Sequence, residues 1–324
     1  MSRIIIGIHG LGNKPSQDLL TRWWKKSIHE GLKSINSNRF TINFDLVYWA
    51  DVLYDKPLSL KKKDENHPLY LDDPYTPANS AIKKTPDEWK VKIVDYIDKQ
   101  IDKLFLNKDM SLNYSAITDK IIHHYFRDLE VYYSASSVGQ SNQPARDVIR
   151  ERLANTLIKH KRKKIMLIAH SMGSIIAYDV LNFIVPEIKI DTFVTIGSPL
   201  GLPVIVSKIY GEQNKDHKKI TKVKTPESII NSWINLSDPD DKVALDHTLA
   251  DDYEKNTNQV RAIDKYIYNN YEISGKRNPH KSYGYLRSPE LAEIIDLFLV
   301  KRRIAWIGKF VEKYNFLRTY FRKS

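Results

Sequence analysis

Lys164-Ile165-Met166-Leu167-Ile168-Ala169-His170-Ser171-Met172-Gly173-Ser174-Ile175-Ile176-Ala177-Tyr178 decides the fold. Ile165 to Ala169 is an unbroken apolar run, too short for a helix and rich in Ile, which predicts a strand buried on both faces. Ser174 to Tyr178 predicts a helix. Between them, Ala169-His170-Ser171-Met172-Gly173 is a small-x-Ser-x-Gly turn, which holds a serine at the tip of a sharp strand-to-helix bend. Small residues are needed two positions either side of the serine, where strand end and helix start pass close together, and Ala169 and Gly173 supply them. The new helix aims its unsatisfied N–H groups back at the bend, so the amide of Met172 is placed to stabilise a developing oxyanion. Ser171 is the candidate nucleophile. A serine that merely caps the helix fits the pentapeptide alone; the strand before it and the apolar helix after it favour the chemical reading.

Upstream, Ile4-Ile5-Ile6-Gly7-Ile8 predicts another buried strand, running into His9-Gly10-Leu11-Gly12-Asn13. Two glycines after a strand allow a tight loop with outward-facing amides, and the Leu11 N–H is the natural second oxyanion donor beside Met172. Residues 17–35 carry Leu19, Leu20, Trp23, Ile28, Leu32 and Ile35 at helical spacing, and Phe40–Trp49 is β-rich. Strand, helix and strand in that order imply a parallel pair.

From 51 to 143 the pattern breaks. Pro57, Pro68, Pro74, Pro77 and Pro86 exclude a continuous helix or central strand, so this region reads as a loop-rich insertion lying over the site, with helices near 87–106 and 115–134. Its Tyr125, Phe126, Tyr132 and Tyr133 either line an acyl pocket or pack. Residues 144–159 are amphipathic and lead through the basic run 161–164, a solvated helix end, into the central strand. Ile190–Ile196 predicts the next strand, 203–228 a lysine-rich surface excursion, and Ser232–Leu236 a strand running into Ser237-Asp238-Pro239-Asp240-Asp241-Lys242-Val243.

A serine hydroxyl needs a base to take its proton and a third group to orient that base. An acid just past a downstream strand fits the order nucleophile, acid, histidine. Asp241, which heads Asp-x-Val, is the first choice and Asp238, at the strand end, the second. Of the downstream histidines, His280 stands in the loop Asn278-Pro279-His280-Lys281-Ser282-Tyr283-Gly284 before a helix at 289–300, whereas His247 lies only six residues past Asp241 and reads as local structure. His9 and His170 flank the site as neighbours that shape it.

Taken together, residues 6–13, 169–173, Thr195–Leu200, 238–244 and the His280 loop resemble the lipase and esterase side of the α/β-hydrolase superfamily. The resemblance covers 3–200 and 230–300. It implies a three-layer α/β fold, a mostly parallel sheet of about six strands flanked by helices, and a serine hydrolase that uses no cofactor and no metal. The first strand here corresponds to the third of the family's usual eight. Ala169 stands where the family's serine motif most often has glycine.

Of 324 residues none is cysteine, which excludes disulfides and thiolate chemistry and fits a cytoplasmic protein. The N-terminal apolar run is too short for a signal peptide and lacks a small-residue cleavage site. The net charge of +12 is uneven, since 301–324 holds eight Lys or Arg against the single acid Glu312. No nucleic-acid-reading module accompanies it, so no nucleic-acid partner is expected. At helical spacing Trp306, Ile307, Phe310, Val311, Tyr314, Leu317 and Phe321 share one side, an aromatic and basic pattern suited to an anionic membrane surface or to packing on the body. The expected organisation is a hydrolase domain at 1–300, with the 51–143 insertion, and a basic helix at 301–324. The expected activity is cleavage of carboxylic esters through an acyl-enzyme on Ser171. Acyl transfer with the same residues, or a non-catalytic protein docking on membranes or partners through its tail, are the alternatives.

Overall fold

The computed structural model describes residues 1–39, 41–78, 129–133, 143–213, 222–244 and 247–300. Its main elements in chain order are β1 (Arg3–Ile8), α1 (Gln17–Ser34), β2 (Phe44–Val47), α2 (Ala145–His160), β3 (Lys164–His170), α3 (Met172–Asp179), β4 (Ile190–Ile196), α4 (Pro203–Gln213), β5 (Ile229–Ser237), β6 (Ala262–Tyr266), α5 (Ser282–Leu286) and α6 (Pro289–Leu299). The six strands form one sheet in the order β2-β1-β3-β4-β5-β6. Every neighbouring pair is parallel.

Strand alternation distributes the core over the two faces. Ile4, Ile6 and Ile8 of β1, with Ile165, Leu167 and Ala169 of β3, join the cluster that includes Ile149 and Leu153 of α2 and Ile175 and Ile176 of α3. Ile5 of β1, with Met166 and Ile168 of β3, joins Trp24 and Ile28 of α1, Tyr285 of α5 and Leu291 and Ile295 of α6. Each such fully buried aliphatic side chain contributes about 2 kcal/mol relative to exposure. The result is a sheet between two helical layers, with both faces apolar because both are covered.

The order of the strands positions the site. From β1 the chain crosses to β2 on one side and then returns past β1 to β3 on the other. The loops leaving β1 and β3 therefore diverge from adjacent strands, and the crevice at the carboxyl ends of such a pair is where ligands bind in open α/β sheets. The loop 9–13 and the turn at Ser171 are those two exits.

Two expectations change, and one strand of the expected six is newly placed. The second strand is shorter than 40–49, covering Phe44–Val47. The region 203–228 is not a plain surface excursion: α4 buries Ile205 and Ile209, one turn apart, among the core side chains. The sixth strand, β6, has no apolar run of its own; only Ala262 of its five residues is buried, and it forms by pairing with β5 at the sheet edge. The helix near 87–106, most of that near 115–134, Tyr125, Phe126 and the tail 301–324 lie outside the described residues. Residues 129–133 are helical, and the Tyr132 hydroxyl donates to Asp179 at 2.7 Å while Arg150 bonds both. That makes Tyr132 an anchor of the insertion on α3.

Candidate active site

The turn between β3 and α3 is fixed by backbone packed on backbone. Ser171 has φ 54° and ψ −131°, a conformation non-glycine residues seldom adopt and one that costs about 1–3 kcal/mol. What over-determines it is the surrounding bonding. The Ser171 N–H donates to Ile196 O at 3.1 Å, and its carbonyl accepts from Ser174 N at 2.8 Å and from Ser174 Oγ at 2.6 Å. Ser174 Oγ in turn lies 2.8 Å from Ser198 Oγ, in the loop after β4. At Gly173 a Cβ would stand 2.7 Å from the carbonyl oxygen of His9 and 2.8 Å from that of Ile8. The small residue is required there because α3 starts directly against the end of β1.

Opposite the serine stands His280. The Ser171 hydroxyl is 3.0 Å from His280 Nε2, and His280 Nδ1 is 2.9 Å from both Asp241 oxygens. A carboxylate only accepts, so Nδ1 carries the proton and Nε2 presents its lone pair to the serine. The Asp241 carboxylate also accepts from Val243 N at 2.9 Å and from the Tyr285 hydroxyl at 2.8 Å. Burial pushes the Asp241 carboxyl up, but His280 and these donors outweigh it and hold it below the ordinary carboxylate value. The chain can therefore present a serine with its acceptor already in place and the imidazole orientation set by a charged partner.

Asp238 does not reach this group. Its side chain accepts from Asp240 N at 2.8 Å and Asn269 N at 2.6 Å and pairs with Arg277. Burial raises its carboxyl above the usual range despite the guanidinium. It ties the end of β5 to the segment carrying His280. His247 is buried too, pushed down to about 4 by burial, with its ring against Tyr266 and its carbonyl accepting from Asn235 and Ser237.

The loop after β1 lies on the serine: a Cβ at Gly10 would stand 2.6 Å from Ser171 Cβ. His9 fixes this loop. Its Nε2 accepts the Trp49 backbone N–H at 3.0 Å, which leaves the proton on Nδ1, and Nδ1 donates to Gly10 O at 2.8 Å. The indole of Trp49 donates to His9 O at 2.9 Å and stacks on the imidazole. Burial, with the Lys14 charge nearby, pushes His9 down to about 3, so the ring stays neutral. Because a peptide is planar and trans, holding Gly10 O also sets the direction of the Leu11 N–H. Lys14 Nζ donates to the carbonyls of Leu11 and Gly12, drawing the next carbonyls inward as well. Met172 occupies the first position of α3, where the helix provides no carbonyl for its N–H.

The described start of the insertion is stitched to both loops. Leu58 N donates to Lys14 O and Asn13 Nδ2 to Lys56 O, each at 2.9 Å. Asp73 accepts from Asn278 at 3.0 Å and Lys281 at 3.3 Å, and Tyr271 donates to Pro74 O at 2.7 Å. These links could not be read from the sequence, since Asp73 lies in a polar stretch like any other. Among the described residues no group of three or more His, Asp or Glu could hold a metal ion, and no helix is long and apolar enough to cross a membrane.

Residues 149–224, which include the serine turn and β4, match the model of the lecithin:cholesterol acyltransferase family. No curated protein sequence matches the chain. The match covers a minority of the chain, but it falls on the segment that carries Ser171, inside a helix-flanked parallel sheet whose serine leaves the strand beside the topological switch. That combination is consistent with an α/β-hydrolase fold, a six-stranded parallel sheet flanked by helices.

Proposed function

We propose that the protein is a serine hydrolase that cleaves carboxylic esters through an acyl-enzyme on Ser171. The observation that carries this reading is the line from Asp241 through His280 to Ser171, with contacts of 2.9 and 3.0 Å. His280 takes the serine proton as Oγ attacks the acyl carbonyl. The amides of Leu11 and Met172 receive the oxyanion, and the leaving alcohol collects the proton from His280. Water then repeats the sequence on the acyl-enzyme, with His280 again as base. Asp241 keeps the imidazole in the tautomer with Nδ1 protonated and stabilises the imidazolium in each half-reaction.

Acyl transfer to an alcohol is the second reading, favoured by the match to the lecithin:cholesterol acyltransferase family. The two differ only in whether water or an alcohol meets the acyl-enzyme. The same match favours lipid esters as substrates, and the aromatic, basic sequence at 301–324 suits a peripheral site on an anionic membrane. A purely docking protein accounts for none of the bonding around His280.

Incubating the protein with p-nitrophenyl esters of graded acyl length, with and without a long-chain alcohol, separates these readings. Release of free acid that is lost in Ser171→Ala supports hydrolysis. Partition of the acyl group into the alcohol ester beyond its share of the solvent nucleophile supports transfer. Turnover that persists unchanged in Ser171→Ala would sink both.

A further inference from the structure

We infer that His170, the residue before the nucleophile, is a positioning residue that sets the placement of His280 by holding its backbone carbonyl. The inference rests on Ser171 and His280 acting as nucleophile and base.

His170 Nε2 lies 2.8 Å from His280 O. A carbonyl can only accept, so the proton sits on Nε2 and the tautomer is fixed by the partner. The imidazole faces the layer that contains α5 because it follows Met166 and Ile168 in the alternation of β3. Its ring is tilted 35° to that of His280 with centroids 4.9 Å apart. Burial and the neighbouring His280 keep it neutral; a second cation against an imidazolium formed on His280 would oppose the proton transfer.

The loop around the base explains why this bond matters. Asn269 Nδ2 donates to Pro279 O at 2.7 Å and to Lys281 O at 2.8 Å, holding the carbonyls on either side. Asn269 is itself aligned by Tyr271 N, which donates to its Oδ1 at 3.0 Å. The carbonyl of His280 lies between those two, and His170 holds it. Three successive carbonyls are therefore held from outside the loop, and the middle one governs the rotation that aims the His280 side chain. Since His170 and Ser171 are consecutive, the strand that delivers the nucleophile also sets its distance from the base.

The test compares wild type, His170→Leu and His170→Gln in ester hydrolysis and in the rate of fluorophosphonate labelling, with thermal melting beside them. Leucine fills the space without a donor, while glutamine restores an N–H near the position of Nε2. A misplacement of the order of 1 Å costs about 10²-fold. We therefore expect His170→Leu to lose about that factor in kcat and in labelling rate with KM little changed, and His170→Gln to recover most of it. Wild-type kcat in His170→Leu would overturn the proposal. Equal losses in both variants that track a lowered melting temperature would also overturn it, as the mark of packing alone. A wild-type protein inert to both ester and probe would overturn the reading of Ser171 itself and the proposal with it, whereas an active wild type beside an equally active His170→Leu removes the proposal only.

Discussion

The turn at 169–173 is held by main chain packed against main chain, whereas the loop at 278–281 is held by side chains reaching in from other elements. At Gly173 there is no room even for a methyl group between α3 and the carbonyls that end β1. At His280 the backbone carbonyl accepts from His170 and Nδ1 donates to Asp241, Asn269 donates to the carbonyls of Pro279 and Lys281 on either side, and the flanking Asn278 and Lys281 bond to Asp73. Stability and chemistry part along this line. A change in the turn should damage fold and activity together. A change in the side chains that aim His280, namely His170 and Asp241, should cost activity well beyond its cost in stability.

The largest effect expected from this contrast is at Asp241. Replacing it by Asn keeps shape and removes charge, so the amide presents a donor or a weak acceptor to His280 Nδ1 and the wrong tautomer becomes available. Hydrolysis should fall by about 10⁴-fold. Asp238→Asn, three residues away, should instead cost about 2 kcal/mol of stability through its bonds to Arg277 and Asn269 and leave kcat far closer to wild type. Steady-state kinetics and denaturant melts of the two variants make the comparison; the reverse pattern would assign the acid to Asp238.

Gly173→Ala comes next. A Cβ 2.7 Å from a backbone oxygen cannot be absorbed by rotating a side chain, so overpacking of about 1–3 kcal/mol is expected, with activity falling in step. Unchanged melting with lost activity would show that the turn is not held as described.

The smallest effect is a dependence of stability on pH. Burial pushes His9 down to about 3 and His247 to about 4, and lowers His170 well below its ordinary value. All three stay neutral in the native state while the unfolded chain takes protons below about pH 6.5. Unfolded protein then binds more protons than native, so their contribution is complete above about 6.5 and is lost as pH falls toward the native values. Each costs at most about 1.4 kcal/mol per pH unit in that window. The buried Asp179, Asp238 and Asp264, whose carboxyls are raised by burial, work in the opposite sense once they protonate. A melting temperature that drops between pH 7.5 and 5.5 is the expected result, and a flat profile would show that the buried histidines do not dominate the net proton uptake on unfolding in that window.

Much of this was legible before the structure, for reasons that differ by region. β1 and β3 announce themselves because strands covered on both faces need continuous apolar runs, β4 because Phe193-Val194-Thr195-Ile196 is β-rich, and the serine turn because a sharp bend needs small residues at Ala169 and Gly173. β6 is hidden because an edge strand covered by little can be written Ala-Ile-Asp-Lys-Tyr, its identity lying in its partner. α4 is hidden because Pro203-Val204-Ile205-Val206 is β-branched, although helical spacing of Ile205 and Ile209 was there to find. Three aspartates stand in four positions after β5, and the Asp-x-Val pattern ranks Asp241 ahead of Asp238 without showing which way either carboxylate points. The structure separates them through a turn in which Asp241 N donates to Asp238 O at 2.9 Å, turning one carboxylate toward His280 and the other toward Arg277. The roles of His9 and His170 were legible only as nearness to the site, since the bonds that define them join segments far apart in sequence.

The central claim is that Ser171 is an activated nucleophile, and the most direct test is fluorophosphonate labelling of the full chain with mass spectrometric mapping of the adduct. A single adduct on Ser171 is expected in the wild type and none in Ser171→Ala. Labelling should slow by several orders of magnitude in His280→Ala, which keeps the hydroxyl but removes the imidazole beside it. A folded wild-type protein that takes no adduct, or takes it on another residue, would show that Ser171 is not an activated nucleophile.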